Sequence, residues 1–104
     1  MNKKSTHGIS DSDLNDILTA LQKNKNITEV ILFGSRAKGT FSIGSDIDLA
    51  LKGPNLGLSD LNDAKIEIDK LLIPNKIDLI IYNRITDPDL TEHINRVGIV
   101  LFKR

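Results

Sequence analysis

The sequence predicts an α/β domain in which helices cover a mixed β-sheet of about four strands. Helical stripes of apolar residues alternate along the chain with short strand-like segments, an order typical of one sheet with helices packed against it. No repeat and no long linker divides the 104 residues, so we expect a single domain over 1–104. The loop between the first two strands is too short for a crossover helix, so we expect that pair to be antiparallel.

Apolar spacing predicts three amphipathic helices and one short helical segment. Ser10 is among the candidate N-caps of the first helix, and Ser59 is an N-cap or first-turn residue of the second. Pro88 stands near the start of the last helix, where proline is tolerated best. The predicted bounds, in chain order, are 11–24, 35–38, about 58–72 and 87–98.

Four segments have the composition or the alternation of strands. The second of them alternates strictly, so Asp46, Asp48 and Ala50 should face one side of the sheet, opposite the apolar residues between them. The third is apolar throughout except for Asp78. The predicted bounds are 27–33, 46–52, 77–82 and 99–102.

Composition narrows the class of protein. The chain has no cysteine, so zinc–thiolate sites and cysteine nucleophiles are excluded. Fourteen basic and fourteen acidic residues give a formal net charge of zero, which argues against direct nucleic-acid binding and permits association with another protein, including a homodimer. No apolar run is long enough to span a membrane, and residues 1–10 do not resemble a secretory signal, so we expect a cytoplasmic protein whose residues 1–9 are mobile.

A glycine-containing turn follows the first strand. Gly34 lets the backbone approach a ligand closely, and the amides that follow it, with the Ser35 hydroxyl, can bind phosphate oxygens. Arg36 and Lys38 either contact a triphosphate or are solvated loop charges. Ser45 either joins the nucleotide site or, as we favour, shapes the turn before Asp46.

Three acids are candidates for a metal site. Asp46 and Asp48 are separated by one residue on a strand, so their side chains point the same way and can converge on hard cations such as Mg²⁺. Asp78 interrupts a buried apolar run, where an ionised carboxylate is costly unless it is paired or metal-bound. There it can complete the cluster and orient or deprotonate an attacking hydroxyl. We expect His93 to be a surface residue and His7 to be uninvolved.

These residues together resemble the polymerase-β-type nucleotidyltransferase superfamily. Gly34-Ser35, ten further residues and Asp46-x-Asp48 match its G-S-x10-D-x-D signature, with Asp78 as the third acid. The surrounding words LFGSRAKGT and GSDIDLAL are most similar to the minimal nucleotidyltransferases of bacteria and archaea. One departure is Lys38, where many members have arginine, which puts the details of phosphate contact in doubt.

The resemblance implies a function and a partner. It implies two Mg²⁺ ions, with Mn²⁺ as an alternative, held by the acids, and a triphosphate held by the Gly-Ser pair. It further implies transfer of a nucleotide, with ATP as the expected donor, to a hydroxyl of a helical HEPN-domain protein, as in toxin–antitoxin pairs. The alternatives are a non-catalytic module that binds and masks its partner and, as a minor one, an antibiotic-modifying transferase, which usually carries a further substrate-binding domain.

Overall fold

Helices and strands alternate in the order that the sequence predicts. The computed structural model describes residues 7–104. The elements are α1 Asp11–Gln22, β1 Glu29–Phe33, α2 Gly34–Lys38, β2 Ile47–Lys52, α3 Leu58–Asp69, β3 Ile77–Ile81, α4 Pro88–Val97 and β4 Ile99–Lys103, with a 3-10 turn at Tyr82–Arg84. Among the described residues, no helix is both long and apolar enough to cross a bilayer.

The four strands form one mixed sheet in the order β3-β2-β1-β4. β1 is antiparallel to both β2 and β4, which confirms the predicted antiparallel pair. β2 and β3 are parallel, because the chain between them returns through α3. The register aligns Asp48 with Phe33 on one side and with Asp78 on the other.

The two faces of the sheet are covered differently. Alternate strand residues, such as Leu32 and Leu49, are fully buried in the larger core beside α1 and α3. The opposite face carries a smaller cluster, which α4 covers with Ile94. Asp48 alternates with Leu49 and therefore lies on the face of the sheet that α4 covers, as the strand alternation predicted.

Two helices end earlier than the sequence predicts. α1 ends two residues earlier than expected, at Gln22, and α3 ends at Asp69, since the following segment turns away and leaves Leu72 fully exposed. Ser10 caps α1 as predicted, accepting from the Asp13 amide. α3 begins at Leu58 as predicted, so Ser59 lies in its first turn, the second of its two predicted roles. Gly57 is the N-cap, and the Asp60 carboxylate accepts from the Gly57 amide at 2.8 Å.

The start of the described chain packs against the rest of the domain. His7 and Ile9 are 7% and 5% exposed, and the His7 carbonyl accepts a hydrogen bond from Arg36. Burial lowers the pKa of His7, and the Arg36 charge lowers it further, so its neutral Nδ1 accepts from the Ile9 amide. Residues 7–9 of the segment predicted to be mobile therefore pack against the domain, and residues 1–6 lie outside the described range.

Candidate active site

Two neighbouring strands bring the three predicted acids together. Asp46 directly precedes β2, Asp48 is its second residue, and Asp78 is the second residue of β3. Because β2 and β3 are parallel and in register, Asp48 and Asp78 stand side by side. One carboxylate oxygen from each of the three acids lies within 4.8 Å of the others, a spacing at which they can share a cation.

Electrostatic repulsion is concentrated at Asp48. Burial raises the pKa of the Asp48 carboxyl above its ordinary value, and the neighbouring Asp78 and Asp46 raise it further, whereas Lys76 acts in the opposite direction. Three acids so close favour binding of a divalent cation, which offsets their mutual repulsion. Oxygen ligands alone, without nitrogen or sulfur, suit Mg²⁺ and Mn²⁺.

Asp78 is less buried than the sequence predicts. Its side chain is 42% exposed, and Lys76 Nζ lies 3.6 Å from its Oδ1 atom. The reason is topological, since β3 is an edge strand of the sheet. Its apolar neighbours Leu79 and Ile81 are buried on the face of the larger core, while Asp78 points the other way.

Position 34 requires a glycine, because its backbone lies against the Asp48 side chain. Its φ is +76°, a conformation that residues with a side chain rarely adopt. A Cβ atom at this position would collide with Oδ2 of Asp48, because Phe33 and Asp48 are paired in adjacent strands. Ser35 follows, half-buried in the first turn of α2. The Gly34–Ser35 turn therefore lies directly beside the acids.

The side chain of Arg36 is buried and binds backbone carbonyl oxygens. It is 3% exposed, and its guanidinium donates to the carbonyl oxygens of Ser45, Ile43 and His7 at 3.0–3.3 Å. Its Cζ atom also lies 5.1 Å from the centroid of the Phe41 ring. Arg36 thus holds the loop that leads into Asp46, and the solvated-charge alternative is wrong for this residue.

Lys38 and Ser45 lie at the margin of the site. Lys38 is exposed at the end of α2, before Gly39 closes the helix with a φ of +83°. The Ser45 hydroxyl accepts from the Ser42 amide at 2.9 Å, and the Ser45 amide donates to the Ser42 carbonyl. Ser45 therefore shapes the turn before Asp46, the interpretation that the sequence favoured.

His93 belongs to this neighbourhood, which the sequence analysis missed. Its Nε2 atom accepts a hydrogen bond of 3.1 Å from the Gly34 amide, although 59 residues separate the two in the chain. The expectation that it is a surface residue is wrong, because its side of α4 packs on the sheet. The available signal was its helical spacing from Leu90 and Val97, which places it on the apolar stripe.

Three converging carboxylates beside a Gly-Ser turn, on a mixed sheet, define a nucleotidyltransferase of the polymerase-β type. The family model described as "Polymerase beta, Nucleotidyltransferase" matches residues 15–104. The chain belongs to this family, and the predicted class of protein is confirmed. No curated protein sequence matches it.

Solved structures share this fold. A toxin–antitoxin complex with AMP-PNP contains a chain 24% identical, with a TM-score of 0.72, covering 88% of this chain and 73% of that one. The MntA–HepT toxin–antitoxin pair gives 19% identity and a TM-score of 0.67, covering 91% and 74%. The tri-AMPylated Shewanella oneidensis HEPN toxin in complex with MNT antitoxin gives 20% and 0.66, covering 89% and 71%. The polymerase-β-like fold is therefore confirmed.

Proposed function

We propose that this protein transfers AMP from ATP to a hydroxyl group of a partner protein, with two Mg²⁺ ions bound by Asp46, Asp48 and Asp78. The observation that carries the proposal is the convergence of these three acids beside Gly34 and Ser35 in a chain of this family. Mn²⁺ can replace Mg²⁺, because both prefer carboxylate oxygens. The cytoplasm, which supplies ATP and Mg²⁺, is the compartment that we propose.

The reaction is an in-line displacement at the α-phosphorus of ATP. The acceptor oxygen forms a bond to that phosphorus, the bond from phosphorus to the bridging oxygen of pyrophosphate breaks, and pyrophosphate leaves. When bound, the two metal ions stabilise the attacking and the leaving oxygens. Asp78, whose side chain is 42% exposed, orients the hydroxyl and receives its proton.

Gly34 and Ser35 bind the triphosphate in this proposal. The close approach of the Gly34 backbone to Asp48 lets phosphate oxygens reach both the turn and the metal site. Ser35 adds a hydroxyl donor from the first turn of α2. Arg36 acts indirectly, through the loop that it holds before Asp46.

A HEPN-domain toxin is the acceptor that we propose. Several of the structurally similar proteins belong to toxin–antitoxin complexes, one with AMP-PNP and one whose HEPN toxin is tri-AMPylated. The zero net charge of this chain supports a protein acceptor more than a nucleic acid. In such a pair, this chain is the antitoxin.

Labelled ATP tests the proposal. We expect the protein, Mg²⁺ and ATP labelled at the α-phosphate to label a co-purified HEPN partner, whereas label at the γ-phosphate stays in pyrophosphate. The Asp46→Asn/Asp48→Asn variant should lose the transfer. Asp16→Asn/Asp63→Asn is the matched control, since it removes the same charge from exposed positions outside the site.

The same variant separates catalysis from masking. If Asp46→Asn/Asp48→Asn still neutralises the partner while labelling is absent even with the unaltered protein, the chain is a non-catalytic binding module. Loss of neutralisation in that variant alone, together with loss of label, supports the transferase.

A further inference from the structure

The imidazole of His93 connects helix α4 to the backbone beside the acids. Its Nε2 atom accepts the Gly34 amide hydrogen at 3.1 Å. The same ring meets the Phe33 ring edge to face, with centroids 6.3 Å apart and an interplanar angle of 81°. His93 therefore contacts two successive residues at the point where β1 ends and α2 begins.

The backbone that His93 holds has little freedom to move without disturbing the acids. Gly34 has a φ of +76°, and the space where its side chain would be is filled by Oδ2 of Asp48. A rotation of the Phe33–Gly34 peptide would change this contact and the direction in which Ser35 leaves the strand. The hydrogen bond that the Gly34 amide donates to His93 opposes that rotation, because it holds the amide from the side of α4.

We propose that His93 is a positioning residue for nucleotide binding, which holds the Gly34 amide so that Ser35 and Asp48 keep their spacing. The inference rests on the proposed function and deepens it, by naming a residue that acts on the triphosphate site through the backbone. Nε2 must be without a proton to accept from an amide, so the acting form is the neutral ring with its proton on Nδ1.

Two substitutions separate the acceptor atom from the ring. His93→Phe keeps a ring against Phe33 and removes the acceptor, whereas His93→Gln keeps an acceptor at similar reach and removes the ring. We expect His93→Phe to raise the KM for MgATP roughly three- to tenfold with kcat nearly unchanged, the effect of one lost hydrogen bond. His93→Gln should stay within about twofold of the unaltered protein. Glu92→Gln, on the exposed side of α4, is the control.

Amide hydrogen exchange at Gly34 gives a readout that does not depend on activity. Exchange of this amide should accelerate in His93→Phe and stay slow in His93→Gln, because only the first loses the acceptor. If His93→Phe does not fold, His93→Met takes its place with the same expectation, since its side chain is flexible and lacks a strong acceptor.

The outcomes distinguish this inference from the proposed function. An unchanged KM and unchanged Gly34 exchange in His93→Phe, in a protein that binds MgATP, overturns the positioning role alone. Equal impairment of His93→Phe and His93→Gln also overturns it, because the ring and not the acceptor would then matter. If the unaltered protein neither binds MgATP nor transfers AMP, the proposed function fails, and the positioning role fails with it.

Discussion

At the scale of single residues, Asp48 has the least favourable environment of the three acids. It lies between Asp46 and Asp78, is half-buried, and has a raised pKa. In a protein without metal, this arrangement opposes folding. In a protein that binds Mg²⁺, it favours the metal complex, so a cost in stability serves the site.

The raised pKa of Asp48 predicts how stability changes with pH in EDTA. The folded state holds its proton to higher pH than the unfolded state does, so the free energy of unfolding falls as pH rises between the two pKa values. Asp48→Asn removes this loss. We therefore expect the variant to be more stable than the unaltered protein near neutral pH, with the difference vanishing below about pH 4. Urea unfolding of both proteins across pH measures this difference in stability. A difference that stays constant with pH would contradict the prediction.

Metal binding should depend on the same residue. Saturating Mn²⁺ should raise the thermal unfolding midpoint of the unaltered protein, because a ligand that binds only the folded state stabilises it. Asp48→Asn should lose this rise, and Asp16→Asn, an exposed acid on α1, should keep it. An equal rise in all three proteins would place the ion elsewhere.

Adding a single methyl group at Gly34 should strongly reduce stability and activity. Gly34→Ala should destabilise the protein by at least about 1–2 kcal/mol, the cost of a positive φ, with more from the collision with Asp48. Transfer activity should fall further than stability does, since the collision displaces a metal ligand. Gly44→Ala is the control, because its added Cβ meets nothing within 4 Å. Thermal unfolding measures the stability of each variant, and the labelling assay measures its activity. Equally mild effects of Gly34→Ala and Gly44→Ala would contradict the close approach of Gly34 to Asp48.

At the scale of elements, two side chains hold the loop between α2 and β2, since Arg36 and Asn75 both donate to its carbonyl oxygens. The Arg36 guanidinium donates to the carbonyls of Ser45 and Ile43, which lie within the loop. It also donates to the carbonyl of His7, which precedes α1. The loop leads directly to Asp46, so its position sets the first of the three proposed metal ligands. The anchored start of the chain and the active site are thus joined through a buried guanidinium.

Replacing Arg36 should weaken both stability and metal binding. Arg36→Ala removes the buried hydrogen bond to the His7 carbonyl and leaves the Ile43 and Ser45 carbonyls to Asn75 alone, so we expect a cost of about 1–3 kcal/mol. Arg36→Lys keeps the charge but cannot reach the separated carbonyls together, so it should recover less than half of the loss. Lys38→Ala, exposed on the same helix, should be near neutral. Urea unfolding and Mn²⁺ titration measure the effects, and full recovery by lysine would rule out the guanidinium geometry.

At the scale of the whole molecule, the site spans a stable and a less stable part of the sheet. β1 and β2 are central, with Leu32 and Leu49 fully buried, whereas β3 and β4 are edges and Val100 on β4 is 51% exposed. Asp48 therefore stands on a central strand, and Asp78 on an edge that an acceptor can approach.

Hydrogen exchange should follow this division. We expect the amides of Leu32 and Leu49 to exchange most slowly, near the rate set by global unfolding, because both neighbours of each strand must separate first. The amides of β4 should exchange at least about tenfold faster through local opening. Mass spectrometry of exchanged peptides measures this order, and protection of β4 beyond that of β1 would contradict the proposed hierarchy.

The sequence by itself determined the features that depend on neighbours along the chain. Alternation of apolar and polar residues in 46–52 determined which way Asp46 and Asp48 point. Apolar stripes at helical spacing marked the helices that cover the larger core. The short loop required β1 and β2 to be antiparallel. The spacing of Gly34, Ser35 and the acids led to the family. These patterns are local, so the sequence displays them directly.

Only the tertiary structure decided which distant residues meet. It put β3 at the sheet edge, so Asp78 is half-exposed beside Lys76. It also buried Arg36 among carbonyl oxygens and carried His93 to the Gly34 amide. No periodicity shows these contacts in advance, because they depend on how strands order themselves and how helices pack once the chain has folded.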